Sequence, residues 1–191
     1  MAGQKRLDVS DATGKLVGAL AHPSNRGAFH VVIEGYNSTS KTLVPRTPAQ
    51  DIRPEALIVP PDACTGLTNF VSALEAAVKH MDAIASLPGT WLPSVVVMLT
   101  DGHFNTGGKP ETIATAIKAR ATLVCVGFGG DADMTMLSSL ATSPTHAIQA
   151  SNAGDLRRYF ATIGQTASLA ALTGQSVAEL LGPALTRSKK S

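Results

Sequence analysis

This chain has few aromatic residues, little net charge and no long apolar run. Aromatic residues make up 4% of its 191 residues, too few for the stacked aromatic platforms that bind single-stranded nucleic acid. The formal net charge is +2 with no basic stripe, which argues against nucleic acid as a partner. No apolar run approaches the ~20 residues that span a bilayer, and Met1 opens a polar stretch rather than a signal peptide. These absences indicate a soluble, cytoplasmic chain without a nucleic-acid or membrane partner.

Signatures of common enzymes and zinc sites are also absent from the sequence. The two cysteines, Cys64 in a predicted loop and Cys125 in a predicted strand, form no C-x-x-C pair. The histidines occur singly, and no pair has the spacing of zinc ligands. No G-x-S-x-G elbow marks a serine nucleophile. The sequence therefore predicts two reduced thiols and gives no sign of a zinc site or of an α/β-hydrolase.

The most informative segment is residues 94–105, which read SVVVMLTDGHFN. Its unbroken apolar run predicts a strand buried on both faces, as in a parallel sheet covered by helices. Asp101 follows the carboxyl end of that strand, the edge of an open α/β sheet where ligands bind. Asp101 is therefore either a ligand-binding carboxylate or the cap of an ordinary Asp-Gly turn.

Apolar periodicity predicts helices and strands that alternate along the chain. The predicted helices are residues 5–21, 68–86, 111–120, 133–141 and 155–163, and the predicted strands are 29–36, 42–44, 94–99, 121–126 and 146–149. This order predicts an α/β fold, a Rossmann-like, doubly wound and mainly parallel sheet with helices on both faces. Residues 29–44 form a hairpin that adds one antiparallel edge strand.

The remaining segments are predicted to be less regular. Residues 45–67 contain five prolines and little periodicity, so we expect a long loop. The domain is predicted to span residues 1–165. Residues 166–191 form a tail with a short helix at 176–181 and a mobile basic end.

Two loops are predicted to meet at the carboxyl edge of the sheet. Thr68 opens a helix as its N-cap, and Asp101 closes a strand. A hydroxyl and a carboxylate at one edge are oxygen ligands of the kind that suits a hard cation such as Mg²⁺. The sequence thus predicts that Thr68 and Asp101 are metal ligands.

Four segments carry a resemblance to a known family. They read FHVVIEGYNSTS, TGLTNFVSALEAA, SVVVMLTDG and LVCVGFGGDADMTMLSSLA. In this order and spacing they resemble the von Willebrand factor type A (VWA) domains, especially bacterial members similar to the tellurium-resistance proteins. The resemblance extends from Met1 to about Ile163.

The resemblance implies a non-enzymatic protein-binding module with a metal-ion-dependent adhesion site. In the family, Mg²⁺ (or Mn²⁺ or Ca²⁺) is shared between protein oxygens and an acidic side chain of a partner protein. Thr68 matches the threonine of the second loop and Asp101 the aspartate of the third, while Leu67 replaces a usual glycine. A role in a bacterial tellurium or stress-resistance system is the corresponding expectation.

The first loop of the family, D-x-S-x-S, has no clear match. Met1 aligns with the methionine that follows these serines, which predicts that the central first strand and its loop are missing and that the chain is a fragment begun at an internal Met. A rival alignment assigns the loop to residues 8–12, with Ala12 in place of the second serine. Under the first alignment, metal binding by this chain is expected to be weak or absent.

Two alternative functions follow from the sequence. Residues 127–132 match G-x-G-x-x-A after a strand, which is the pattern of a Rossmann-type nucleotide-binding enzyme. Gly127 to Ala132 would then contact the nucleotide. The other alternative is a degenerate interaction domain that binds its partner without metal.

Overall fold

The computed structural model describes residues 3–61, 67–89, 91–106 and 108–189. Helices and strands alternate along these residues, largely as predicted. The helices are α1 (Gln4–Leu20), α2 (Phe70–Ala85), α3 (Pro110–Lys118), α4 (Met134–Leu140), α5 (Ala153–Thr173) and α6 (Val177–Ser188). The strands are β1 (His30–Tyr36), β2 (Ser40–Pro48), β3 (Ser94–Thr100), β4 (Ala121–Phe128) and β5 (Ala147–Ala150).

The strands form two sheets in the described part of the chain. β3, β4 and β5 lie side by side in that order and run parallel, which confirms the predicted parallel sheet. β1 and β2 form the predicted antiparallel hairpin. The prediction that the hairpin adds an edge strand to the parallel sheet is wrong for the described residues. The hairpin is a separate two-stranded sheet. Within the described residues, no strand therefore pairs with β3 on the side opposite β4.

Helices cover both faces of the parallel sheet, as predicted. Alternate side chains of β4 point to opposite faces: Val124 and Val126 pack in one apolar core, and Leu123 and Cys125 in the other. The first core is completed by residues of α1, α5 and α6, and the second by residues of α2, α3 and α4. Continuous apolar runs are the sequence signature of a sheet covered in this way.

The prediction that β3 is buried on both faces is wrong for most of its length. All residues of β4 are buried. In β3 only Met98 and Thr100 are buried, and the other residues are partly exposed. The reason is that β3 pairs only with β4 among the described residues, and a strand that is paired on one side leaves its other edge accessible.

The predicted loop at residues 45–67 contains regular structure. β2 continues to Pro48, and short 3₁₀ turns follow at Ala49–Asp51 and Pro54–Leu57. Proline is compatible with β2 because this strand has a partner on one side only in the described residues. Cys64, predicted to be a free thiol in the loop, lies outside the described residues.

The end of the chain is more helical than predicted. α5 runs through residue 165, where the domain was predicted to end, and Gly174 closes this helix in the left-handed conformation at φ 68°. The predicted short helix at 176–181 is α6, which continues to Ser188 and buries Leu181 and Leu185. Residues 190 and 191 of the predicted mobile end lie outside the described residues. None of the described helices is long and apolar enough to cross a membrane.

Candidate functional site

Three loops meet at the carboxyl end of β3. The Asn69 main-chain N–H donates to Asn37 O at 2.9 Å, and the Asn69 side-chain amide donates to Ser38 O at 3.1 Å. The Thr68 N–H donates to the Asn105 side-chain oxygen at 2.9 Å, and the Asn105 N–H donates to Thr68 O at 3.2 Å. These bonds hold the hairpin turn, the start of α2 and the loop after β3 together.

Thr68 enters this cluster without capping α2. The N-cap of α2 is Asn69, whose side-chain oxygen accepts from Ser72 N at 3.2 Å. The predicted N-cap at Thr68 is therefore wrong by one residue, and the Thr68 hydroxyl is not used for capping. Asparagine is among the strongest N-cap residues, which explains the shift.

The structure brings Thr68 to the loop that carries Asp101. Thr68 Oγ1 lies 3.8 Å from the point where a Cβ on Gly102 would stand. The turn itself is held by Thr100, whose buried hydroxyl accepts from Gly102 N at 3.3 Å. The side chain of Asp101 keeps 21% of its surface exposed. The structure thus places Thr68 next to the turn that contains Asp101.

Lys5 is a site residue that sequence reasoning missed. Its Nζ lies 3.6 Å from Asp101 Oδ2, and its side chain is 40% exposed. The same Nζ would be 3.3 Å from a Cβ on Gly129, so the ammonium lies between the loops that follow β3 and β4. Lys5 is far from Asp101 along the chain and belongs to the first turn of α1, so only the packing of α1 brings them together.

The donors that the described residues bring to this edge do not make a complete divalent-cation site. Thr68 and Asp101 carry oxygen donors of the type that Mg²⁺ prefers. The Lys5 ammonium, however, lies against the same carboxylate and would repel a second cation. Among the described residues, no group of three or more His, Cys, Asp or Glu side chains could hold a metal ion.

Asp133 and His103 lie on the loops that follow β4 and β3. Asp133 caps α4, since its Oδ1 accepts from Met136 N at 3.0 Å. The other carboxylate oxygen lies 3.9 Å from His103 Nδ1, and the side chain of His103 is 69% exposed. His103 is thus an exposed loop residue beside a partly buried carboxylate.

The first glycine of the pattern at residues 127–132 allows close packing of β4 against the loop and helix that follow it. Gly127 is buried, and a Cβ there would approach Ala132 Cβ and Met134 Sδ to 2.7 Å each. The start of α4 carries the Asp133 carboxylate, whose charge opposes a phosphate at the place where nucleotide-binding folds hold one. This geometry argues against the nucleotide-binding alternative.

The rival alignment of the first loop also conflicts with the structure. Residues 8–12 lie inside α1, with Val9 and Ala12 buried in the core. The Ser10 hydroxyl donates to Arg6 O at 3.0 Å and accepts from Val59 N at 3.0 Å. These residues therefore stabilise α1 and its neighbouring segment and contribute no ligand beside Asp101.

Burial makes two other ionisable groups unreactive. It raises the pKa of the Cys125 thiol to about 12, so this cysteine stays protonated in the core. Burial also raises the pKa of Tyr36, whose hydroxyl donates to Leu99 O at 2.7 Å. Neither group is suited to act as a nucleophile near neutral pH.

The family of this chain follows from its match to a known sequence model. The sequence model of the von Willebrand factor type A domain matches residues 1–162. The chain belongs to this family. The VWA assignment confirms the resemblance seen in the four sequence segments and agrees with the mixed α/β fold. No curated protein sequence matches the chain significantly.

Solved structures with similar folds come from two kinds of protein. Proximal thread matrix protein 1 from the mussel byssus matches with a TM-score of 0.65 and 17% identity over 81% of this chain and 42% of that chain. The same protein with a zinc-occupied MIDAS motif also matches with a TM-score of 0.65 and 17% identity, over 84% and 44%. The pilus adhesin SpaC from Lactobacillus rhamnosus GG matches with a TM-score of 0.69 and 12% identity, over 90% and 28%.

These similarities are structural. Identities of 12% to 17% show a shared fold. This VWA chain spans less than half the length of each of those chains.

Proposed function

We propose that this VWA domain is a non-enzymatic protein-binding module whose contact surface is the carboxyl edge of β3. The observation that carries the proposal is the convergence of Thr68 and Asp101 on loops joined by the Asn105 hydrogen bonds. Membership of the VWA family supports it, because these domains are generally interaction modules. Rigid scaffolds with functional loops at one sheet edge are suited to binding.

An acidic side chain of a partner protein is the ligand that we expect at this edge. In a complete metal site, Mg²⁺ (or Mn²⁺ or Ca²⁺) held by Thr68, Asp101 and further oxygen ligands would supply the positive charge. With the described residues, the exposed ammonium of Lys5 supplies that charge instead. We therefore expect weak or absent metal binding.

The second candidate is an interaction domain that binds its partner without metal. The Lys5–Asp101 ion pair favours it, since the lysine neutralises the carboxylate that a metal would need. A place in a bacterial tellurium or stress-resistance system and a cytoplasmic location are further proposals, and they rest on the sequence resemblance.

Affinity capture with the full chain tests the proposed surface. The immobilised wild-type chain and the variants Asp101→Ala and Thr68→Ala are compared for the proteins that they retain from bacterial lysate. The matched control is Asp131→Ala, an exposed carboxylate on the loop after β4. We expect partners that are lost with the first two variants and kept with the control. Equal retention by all four proteins would contradict the proposed surface.

A chelator separates the two candidates. Partners lost on addition of EDTA would support metal-dependent binding, and partners retained in EDTA but lost with Asp101→Ala would support the metal-free candidate.

A further inference from the structure

A polar groove of about 510 Å³ lies between the hairpin and helix α2. Its hairpin wall carries the carboxylate of Glu34 and the hydroxyls of Ser40 and Thr42. Side chains at two-residue spacing share one face of a strand, and Thr42 is the cross-strand partner of Glu34. On the opposite wall the small side chain of Ala76 leaves room between helix and hairpin. The groove is therefore a concave polar surface that both elements build.

The carboxylate of Glu34 is held inside this groove, with 16% of its side chain exposed. Its Oε1 atom accepts from the Thr42 hydroxyl and lies 2.7 Å from His80 Nε2. Both of these contacts use the same carboxylate oxygen, and no hydrogen bond to Oε2 is present among the described residues. Because a carboxylate can accept about four hydrogen bonds, Glu34 can still bind a donor that enters the groove.

Ser72 supplies a second polar atom on the helix side of the groove. Its hydroxyl oxygen is buried and has no hydrogen-bond partner among the described residues. Residues four apart lie on one face of a helix, so Ser72 stands in line with Ala76 and His80, which also line the groove. A buried hydroxyl without a partner is unfavourable. Its presence here points to a ligand that bonds to it.

A β-bulge lies directly beside Glu34. Ile33 is opposite Val44 and Glu34 is opposite Thr42, so Leu43 is an extra residue in β2. Bulges re-aim neighbouring side chains and are common beside functional sites. The backbone irregularity therefore occurs where Thr42 donates to Glu34 and fixes the position of its carboxylate.

The lining of the groove favours a cation that donates several hydrogen bonds. Besides the enclosed carboxylate and the hydroxyls, two exposed residues of opposite charge, Glu75 and Lys79, stand at the rim and offset each other. The described lining contains no aromatic side chain, which leaves no ring on which a sugar or a base could stack. A guanidinium group carries five donors in a planar fork. It can therefore bond to a carboxylate and to a hydroxyl at the same time.

We propose that the groove between the hairpin and α2 binds the guanidinium group of an arginine side chain from a partner protein. Glu34 Oε2 and Ser72 Oγ accept hydrogen bonds from this group. The groove continues into the loops of the candidate site, because Ser38 and Asn69 line it and the Asn69 amide donates to Ser38 O. A partner seated on those loops therefore reaches the groove. Binding of the guanidinium does not use Asp101 or metal, so it stands or falls separately from the proposed function.

Amide NMR spectra of the full chain test the proposal, with the acetylated and amidated tripeptide Gly-Arg-Gly as the probe. The titration is done at pH 8, above the range in which histidine side chains ordinarily become cationic. We expect the amide signals of Ser40, Ser72 and Ala76 to shift and to saturate with a Kd on the order of 1–10 mM, as suits a single charged group. The control probe has citrulline, the neutral analogue of arginine, and should bind at least about tenfold more weakly.

Two variants locate the binding site on the chain. Glu34→Gln keeps the shape of the side chain but removes its charge, so we expect the arginine probe to bind at least about tenfold more weakly. Ser72→Ala removes one hydrogen bond and should weaken binding about threefold. Glu111→Gln, at an exposed carboxylate on α3, and Asp101→Ala should bind the probe as the wild type does. If Glu34→Gln fails to fold, Ser72→Ala and the citrulline probe decide.

Four results would overturn the proposal. The first is no shift of the groove signals at probe concentrations up to about 50 mM. The second is equal affinity for the arginine and citrulline probes, and the third is unchanged affinity in Glu34→Gln. The fourth is tighter binding of free L-arginine than of the tripeptide, which would assign the groove to a free amino acid and not to a partner's side chain.

Discussion

Strands β3 and β4 are hydrogen-bonded neighbours with similar apolar sequences, SVVVMLT and ATLVCVGF. Among the described residues, β4 has a strand on each side and is buried at every residue, whereas β3 pairs with β4 alone and is mostly only half-buried. The difference shows that an apolar run indicates a strand whose two faces are covered by helices. It does not indicate whether another strand pairs with each of its edges.

The same comparison applies to the loops that follow the two strands. The loop after β4 is closed by packing, with Gly127 against Ala132 and the Asp133 cap on α4. The loop after β3 carries Asp101, with Thr68 and Lys5 beside it. The strand that pairs on one side only, among the described residues, is therefore also the strand that carries the candidate site.

The largest expected effect is a difference in stability between two leucine-to-alanine variants, one in each strand. Leu123 in β4 is fully buried, and Leu99 in β3 is partly exposed. Leu123→Ala is expected to lower the free energy of unfolding by about 2–5 kcal/mol because it leaves a closed cavity. Leu99→Ala should cost about half as much, since less apolar surface is lost. Urea unfolding measures both, and equal losses would refute the contrast.

Removal of the Lys5 charge should strengthen metal binding at the end of β3. In Lys5→Met the apolar stem is kept and the ammonium that repels a cation is lost. We expect Mg²⁺ affinity to rise by about tenfold, or about 1.4 kcal/mol, as measured by calorimetry. Lys15→Met, on the same helix, is the control. Sub-millimolar Mg²⁺ binding by the wild type would contradict the prediction that this chain binds metal weakly.

Loss of the Tyr36 hydroxyl should weaken the link between hairpin and β3. Tyr36→Phe removes the hydrogen bond to Leu99 O and is expected to lower the free energy of unfolding by about 1 kcal/mol. Thermal and urea unfolding give the value. A variant as stable as the wild type would mean that the hydrogen bond between Tyr36 and Leu99 does not contribute to the free energy of unfolding.

The smallest expected effect is a pH dependence of the free energy of unfolding that comes from one buried histidine. His146, just before β5, is buried and lies within hydrogen-bond distance of Ser143 Oγ at 2.6 Å and Ala178 O at 3.1 Å. Burial lowers its pKa below the ordinary value of 6.5. The unfolded chain then binds the proton more readily, so this contribution to stability is present above about pH 6.5 and declines as the pH falls through that value.

His146→Gln tests this dependence. Urea unfolding of wild type and variant between pH 7.5 and 5 should show a shallower decline for the variant. Identical slopes would exclude His146 as the source.

Much of the fold could be predicted from local sequence. The apolar runs at β3 and β4, the periodicity of α2 and the Pro110 start of α3 all lie where predicted. These features depend on neighbouring residues and on the direction of side chains along one element. The limits of α5 and α6 were underestimated because their Ala, Ser and Thr residues give a weak periodic signal, and packing extends the helices.

Only half of the candidate site could be predicted in the same way. Thr68 and Asp101 could be proposed as site residues because each follows a local signal at the end of an element. Lys5 was not, because nothing near it in sequence indicates that α1 places its ammonium 3.6 Å from Asp101. Asn105 was missed for the same reason, since its bonds to Thr68 join loops far apart along the chain.

The sequence by itself determined the order of elements, the apolar faces of the strands and the family, because these are written in residue patterns of short range. Tertiary structure alone decided that, among the described residues, β3 pairs only with β4 and the hairpin stands apart from the parallel sheet. It also decided that a lysine lies at Asp101. The physical reason is that edge pairing and ion pairing depend on which distant segments meet. That outcome is fixed by packing of the whole chain and not by any local run of residues.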